Sequence, residues 1–517
     1  MSNSKVTQVI RLLGELNLSE DPKRQLLDLK STLFTLPATG MEGLHTNVQL
    51  DPLFDSFNSS DGFDSSDGEQ VELAVEVMGH LLPHVSPQEV VERFNGELLR
   101  GLQHPHEKVR SLVLKQVLQC AETEAGVASV RSHHNLLIAV IRSLGDKSLG
   151  VVKVGNNTLV ALCRQNNGLN AVFSNESITV LEEVMARSDS CRFNVYEFIV
   201  CVCLLGETAL SVASNSGLLD RLIAEVTTGD ILTQLNALEL LTPLALNPGG
   251  MSLLDRGGVI AKLQYLLSLA ETDPMAALLM PGLIKFFGNV GAVRPWQLVE
   301  QYGSVLVLVL KLAAGSLNLG DPTLQSVAIQ TVAHIGSSHD GKLALSKCRS
   351  EMDGVMEVLG STLRTGRSEQ RVAALEALTQ LLTLQESNMS EEVARLLETW
   401  WAGLDGVNME KVMEVTQQPF SDLHCAALGL INTLTNLPWG QHLIHNEPGM
   451  VEYLLDRSTE SDKAGKEAKW TVVESLVKSP SSPHVFEEEQ LTRLERYYRQ
   501  GPFYVEAQVE VALEGHN

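Results

Sequence analysis

From Asp189 to Leu267 the apolar positions run through one pattern twice. An apolar stretch from Asn194 to Leu205 breaks, resumes at Ala209 as a shorter run up to Gly217, and restarts as Leu218-Leu-Asp-Arg-Leu-Ile. The second copy runs from Gln234 to Leu246, then Gly250-Met-Ser-Leu-Leu-Asp-Arg up to Gly258, then Val259-Ile-Ala-Lys-Leu. Gly217 and Gly258 are 41 residues apart. Each is predicted to end a short helix, because glycine accepts the left-handed conformation that closes a helix. Helix, turn, short helix, glycine and helix at a period of about 40 residues is the signature of armadillo or HEAT repeats. The fold class expected is therefore all-α, an armadillo/HEAT-like α-solenoid of roughly nine to eleven helical repeats.

The rest of the chain extends the pattern. Val6, Val9, Ile10, Leu13 and Leu16 share one helical face, and Asp21-Pro22 opens a second helix carrying Leu26, Leu29 and Leu33. These residues, 1–50, are expected to form an N-terminal helical cap. Residues 51–69 hold a doubled turn-forming hexapeptide, Phe57-Asn-Ser-Ser-Asp-Gly and Phe63-Asp-Ser-Ser-Asp-Gly, and are expected to be an acidic loop in which Ser66 is a candidate phosphorylation site. Its spacing does not match a calcium loop. The repeat array is placed at 70–480, with helices over 70–82, 87–102, 107–121, 125–131 and 134–144, and a C-terminal cap helix and polar tail at 481–517. Gly126 and Gly168 open the short helix of successive units, and Gly250 lies two periods further on. Beyond Gly258 the units are followed through Gly303, Gly354 and Gly449, leaving room for one around Trp400-Trp401.

Composition narrows the function classes. Of 517 residues, 63 are acidic and 39 are Lys or Arg, a formal net charge of -24. That field repels phosphate backbones and anionic lipid, so neither nucleic acid nor membrane is an expected partner. The seven cysteines lack metal-ligand spacing and mostly lie in apolar helical runs, which suits reduced, buried thiols in the cytoplasm or also the nucleus. No run is read as approaching the ~20 apolar residues of a membrane span, the nearest being Val305 to Leu310.

Catalytic signatures are missing from the sequence. It contains no GxxxxGK phosphate loop, no GxGxxG after a strand, no HExxH and no GxSxG. Pro83 separates His80 from His84; His104, His106, His133 and His134 read as surface or capping histidines. No enzyme activity, cofactor or metal is expected. What a solenoid offers instead is a long surface lined by one helix per unit. Asn156, Tyr196 and Asn236, spaced by 40 and 40, fall in the second helix of their units, with Lys153 and Gln234 on neighbouring turns. Asparagine there can give and accept hydrogen bonds with a docked segment. Lys285 and Asn289, in the Lys-Phe-Phe-Gly-Asn run expected on the exposed side of a helix opening at Met280-Pro281, complete the candidate partner-binding set. None of the five tryptophans has Asn four residues on, so the importin-type ladder is lacking.

Several longer, non-repeating stretches carry a resemblance. They are Met280-Pro-Gly-Leu-Ile-Lys-Phe-Phe-Gly-Asn289, Gln418-Pro-Phe-Ser-Asp-Leu-His-Cys-Ala-Ala-Leu428, Leu437-Pro-Trp-Gly-Gln441, Pro448-Gly-Met-Val-Glu-Tyr-Leu-Leu-Asp-Arg457 and Gly501-Pro-Phe-Tyr-Val505. In order and spacing the chain resembles the 26S proteasome non-ATPase regulatory subunit 5 family from about Leu26 to Val505, with the Ser-Asp-Gly loop as a departure. The resemblance implies an ATP-independent chaperone for assembly of the proteasome regulatory particle base. Such a chaperone would hold the C-terminal domain of an ATPase subunit, regulatory subunit 7, in a precursor that also contains regulatory subunit 4 and non-ATPase subunit 2. It would leave before the mature particle forms. The alternatives are a general armadillo-type adaptor for signalling or trafficking and, less well supported, a hydrolase or transferase with its site hidden among the helices.

Overall fold

A computed structural model of the chain describes residues 2–16, 21–35, 68–269, 272–317, 322–384 and 390–505. Among the described residues the regular structure is helical throughout. The hexapeptide loop with Ser66 and the tail after Val505 lie outside them. Helices Ser2–Glu15 and Pro22–Phe34 form a hairpin, the second capped by Asp21 accepting from the Arg24 N–H. It packs on helix Gly68–Leu81.

The chain divides into two compact units, Met1–Leu254 and Asp255–Asn517. In the first, long helices Glu107–Ala121, Leu149–Cys163, Asp189–Cys203 and Ile231–Leu246 stack one on the next, each followed by a short helix and a medium one. In the second, the same ladder runs through Pro274–Val293, Pro322–Ile335, Ser368–Leu382, Ser421–Leu434 and Lys463–Lys478. Counting Gly68–Leu81, ten long helices begin ten units among the described residues. The chain is an armadillo/HEAT-like α-solenoid. Each long helix buries apolar side chains such as Leu159, Val195 and Leu241 against its neighbours, each contributing roughly 1.5–3 kcal/mol on burial.

The glycines explain why the period persists. Gly126, Gly168, Gly250, Gly341 and Gly440 are each the third residue of a short helix, pressed against the end of the preceding long one. A Cβ on Gly168 would lie 2.1 Å from the Leu162 carbonyl oxygen. Gly217, Gly258 and Gly449 form the other class, with φ of 73°, 70° and 81° before the medium helix.

Three expectations need correction. Gly354 does not mark a unit boundary, since it lies inside helix Arg349–Thr365, whereas Gly303 follows the kink at Tyr302 (φ -122°, ψ 28°) that divides Pro295–Ala313 into two helical segments; the closely approached glycines of the later units are Gly341 and Gly440. Pro281 is not at a first turn. Its helix starts at Pro274 behind the capping Asp273, so Pro281 is interior, and Phe286 and Phe287 are buried rather than exposed. Finally, Pro274–Val293 is long and apolar enough to cross a membrane. Within its unit it packs against Pro295–Ala313 and Pro322–Ile335, burying residues on several faces, which accounts for its composition.

Candidate partner-binding surface

Seven of the long helices leave a mid-helix position in solvent at a recurring register. In the first unit it is occupied by Lys115, Asn157, Glu197 and Glu239, all exposed, and spaced by 42, 40 and 42 residues (115, 157, 197, 239). In the second it is occupied by Lys285, Gln330 and Glu376, again all exposed. A charged or amide side chain inside an otherwise apolar run is costly to bury without a partner, so the helix turns these positions outward. Apolar side chains protrude from the first turns of several of these helices: Leu149 and Leu232 in the first unit, Met275 and Leu278 in the second.

The residues anticipated as contacts divide across this frame. Lys153 and Asn236 are exposed, one turn before Asn157 and Glu239 on the same strips. Lys285 sits on the exposed row itself, while Gln234 and Asn289 are half-buried. Asn156 and Tyr196 are corrected: both are buried, one residue before the exposed row. Tyr196 is 1 % exposed, its hydroxyl donates to Glu225 Oε1 at 3.1 Å, and the Arg192 guanidinium lies 2.9 Å from the same carboxylate. Burial, then the Glu225 charge, pushes the phenol above its ordinary range. It is an internal strut between helices Asp189–Cys203 and Leu218–Thr228, out of reach of a docked partner.

Sequence reasoning missed two glutamines beside this row. A cleft of about 530 Å³ in the first unit is lined by Val75, Gly79, Leu112, Lys115, Gln116 and Gln119, among others. The Oε1 atoms of Gln116 and Gln119 are buried without a hydrogen-bond partner. A buried orphan acceptor costs about 1–3 kcal/mol unless a donor arrives, so the cleft suits a partner that brings N–H groups. Two glutamines three apart on either side of the apolar pair Val117-Leu118 were the available signal.

The thiols are poor nucleophiles where they are buried. Burial pushes Cys120 up to about 11 and Cys203 up to about 12. His106 caps its helix by accepting from the Lys108 N–H, and His104 accepts from the His106 N–H.

In the second unit a buried polar network carries the most strongly perturbed carboxylate. Glu460 lies between His424, with Nε2 2.6 Å from Oε2, and Lys469, with Nζ 3.2 Å from Oε1. Tyr453 and Thr459 hydroxyls donate to the same Oε1 at 3.2 and 3.0 Å. Burial alone would raise the Glu460 carboxyl, but the His424 hydrogen bond and the Lys469 charge overcome it and hold it at about 2. Nearby, Arg457 donates to Gly501 O at 2.8 Å and stacks over Tyr497, 3.8 Å from its ring centroid, tying the chain after Leu455 to the C-terminal helix Glu488–Gln500.

A family model for the proteasome non-ATPase 26S subunit matches residues 6–517. The chain belongs to that family. The proteins named 26S proteasome non-ATPase regulatory subunit 5 from Bos taurus and Homo sapiens are each 31% identical to it over 509 residues, 98% of this chain and 99% of theirs. The protein of that name from Drosophila melanogaster is 25% identical over 486 residues, 93% of this chain and 92% of its own. Among solved structures, the Kap95:Nup1 complex is similar at 13% identity and a TM-score of 0.48, over 97% of this chain and 63% of that one. Several of the stretches that carry the sequence resemblance hold turns and anchors. Pro438 opens a helix, Gly449 is left-handed, and Arg457 joins the Pro448–Arg457 stretch to Gly501-Pro-Phe-Tyr.

Proposed function

We propose that the chain is an ATP-independent assembly chaperone for the base of the 26S proteasome regulatory particle. In this reading its exposed long-helix row holds the C-terminal domain of regulatory subunit 7, in a precursor that also contains regulatory subunit 4 and non-ATPase subunit 2. It leaves before the mature particle forms. The observation that carries the reading is full-length membership of the proteasome non-ATPase subunit family. The surface chemistry agrees with it: a net charge of -24 favours a basic partner face, and Leu149, Leu232, Met275 and Leu278 offer apolar anchors among polar residues.

The test is a pull-down of the tagged chain from cell lysate, with complexes sized on native gels and identified by mass spectrometry. Regulatory subunits 7 and 4 with non-ATPase subunit 2, free of core particle, are the expected recovery. Intact capped proteasomes would make the chain a stable subunit, and absence of proteasomal ATPases would overturn the assignment. Glu197→Lys with Glu239→Lys, both on the exposed row, should reduce ATPase-subunit recovery at unchanged helical content.

A further inference from the structure

The second unit contains a cleft of about 600 Å³ between the Asp456–Glu460 segment, the start of helix Lys463–Lys478 and helix Glu488–Gln500. Its wall is basic, against the grain of a strongly acidic chain. Arg493 and Arg496, three apart on one helical face, line it together with Lys466. Among the described residues no other side chain engages their charged groups, and both arginines are exposed. The fourth cation, Arg457, is already committed to the Gly501, Tyr497 and Gln500 oxygens. Two acids also face the cleft, and both are occupied. The Asp456 carboxylate accepts from the Ser458 N–H at 2.8 Å and from its hydroxyl at 2.6 Å, and Glu460 is neutralised by His424 and Lys469. The rim is apolar and in solvent: Phe503 is 53 % exposed, Tyr504 40 % and Val505 83 %.

We infer that this cleft is a docking site for an acidic, aromatic- or aliphatic-bearing peptide segment of a partner protein. Guanidinium pairs fit carboxylates as two-pronged donors, so Arg493 and Arg496 set the preference for Asp and Glu side chains or a chain-terminal carboxylate. The exposed Phe503 and Val505 cover the partner's apolar side chains, which a small anion such as phosphate would leave unburied. A long polyanion is disfavoured by the net charge of the chain, whereas a short segment meets only the local positive wall. The inference goes beyond the assembly reading and does not depend on it, since it concerns a different surface.

The probe is a fluorescein-labelled peptide of alternating Glu and Phe, measured by fluorescence anisotropy against the full chain, beside a Lys-for-Glu counterpart. Saturable binding of the acidic peptide, at least tenfold tighter than the basic one, is expected. R493E with R496E should weaken it at least tenfold. R499E, which breaks only the surface pair with Glu495 and lies outside the cleft, should leave it unchanged. Equal binding by the double variant would overturn the proposal, as would displacement of the peptide by inorganic phosphate at matching concentration. The segment after Val505 carries Glu506, Glu510 and Glu514 and no Lys or Arg. If the peptide binds only after deletion of 506–517, the chain's own end is the occupant and the partner assignment falls.

Discussion

Glu460→Gln is the most informative single change to stability. The substitution keeps the shape of the side chain and removes the anion held between the Lys469 ammonium, which is fully buried, and the His424 ring, which is 9 % exposed. Lys469 would retain the Asp456 carbonyl at 2.8 Å and the Thr459 hydroxyl but no carboxylate in contact, the Asp456 charge acting on it only from a distance. Removing one partner of a buried ion pair costs roughly 3–5 kcal/mol, and His424 can relieve part of that by losing its proton, so about 3 kcal/mol is expected at neutral pH. The readout is hydrogen exchange of amides in helix Lys463–Lys478, because local opening reports this unit without requiring the whole chain to unfold in one step. Glu460→Gln with Lys469→Met should recover at least half of the loss. A cost below about 1 kcal/mol would refute the reasoning, since the charges would then be solvated rather than paired.

The same network sets a pH dependence. Both ring nitrogens of His424 face acceptors, Nε2 the Glu460 carboxylate and Nδ1 the Thr416 carbonyl, and the Glu460 hydrogen bond holds the imidazolium above its usual range. A raised base stabilises fully below its unfolded value of about 6.5, and that contribution disappears as pH rises through the folded value. Glu460, depressed to about 2, stabilises above roughly pH 4.5 and loses its contribution as pH falls towards 2. The network is therefore strongest between about pH 4.5 and 6.5. Burial pulls the Lys469 ammonium down, which adds a slope of opposite sign at alkaline pH. The decisive comparison is thus with His424→Gln, which should flatten the decline above pH 6.5. Superimposable profiles would show that His424 is uncharged.

Two further outcomes test the repeat and the corrected surface. Gly168→Ala forces a Cβ to 2.1 Å from the Leu162 carbonyl oxygen and 2.9 Å from Val127 Cγ1, and should cost at least the ~1–3 kcal/mol of core overpacking. Gly429→Ala, with open space around it inside helix Ser421–Leu434, should be neutral or slightly stabilising, and thermal melts of the two variants should separate clearly. Tyr196→Phe loses one hydrogen bond and should cost about 1 kcal/mol, whereas Tyr196→Ala opens a cavity worth about 3–5 kcal/mol. Denaturant titration checks both, and in the proposed pull-down Tyr196→Phe should recover the same proteins as the unaltered chain.

The repeat was legible because its punctuation is chemical. Gly126, Gly168 and Gly250 stand where a side chain would strike a carbonyl, and Asp21 stands where a helix begins, so each leaves a mark that composition alone would not. The later units were misphased for a matching reason. Gly354 is an ordinary helical glycine, and without the backbone it cannot be told from Gly341 and Gly440, which the close approach requires. Apolarity misled once as well: Pro281, Phe286 and Phe287 read as a helix start with an exposed face because the length of helix Pro274–Val293, set by its burial, was not visible in the local pattern.

The candidate surface was missed by a single residue, and the size of that error is physical. One step along an α-helix turns the side chain by about 100°, enough to carry Asn156 and Tyr196 into the packing and Asn157 and Glu197 into water. A spacing of 40 is satisfied by either pair, so period alone cannot choose the phase. Charge can, because an unpaired glutamate within an apolar run must face solvent, and Glu197 and Glu239 do. The corrected row also bears on the kind of partner. A row repeating one amide would match a ligand that itself repeats, such as an extended backbone. Here the equivalent positions change from Lys115 to Asn157 to Glu197 to Glu239, with protruding Leu149 and Leu232 between them. A surface whose chemistry changes at every unit is complementary to a non-repeating one, which favours the face of a folded domain over a strand laid along the helices.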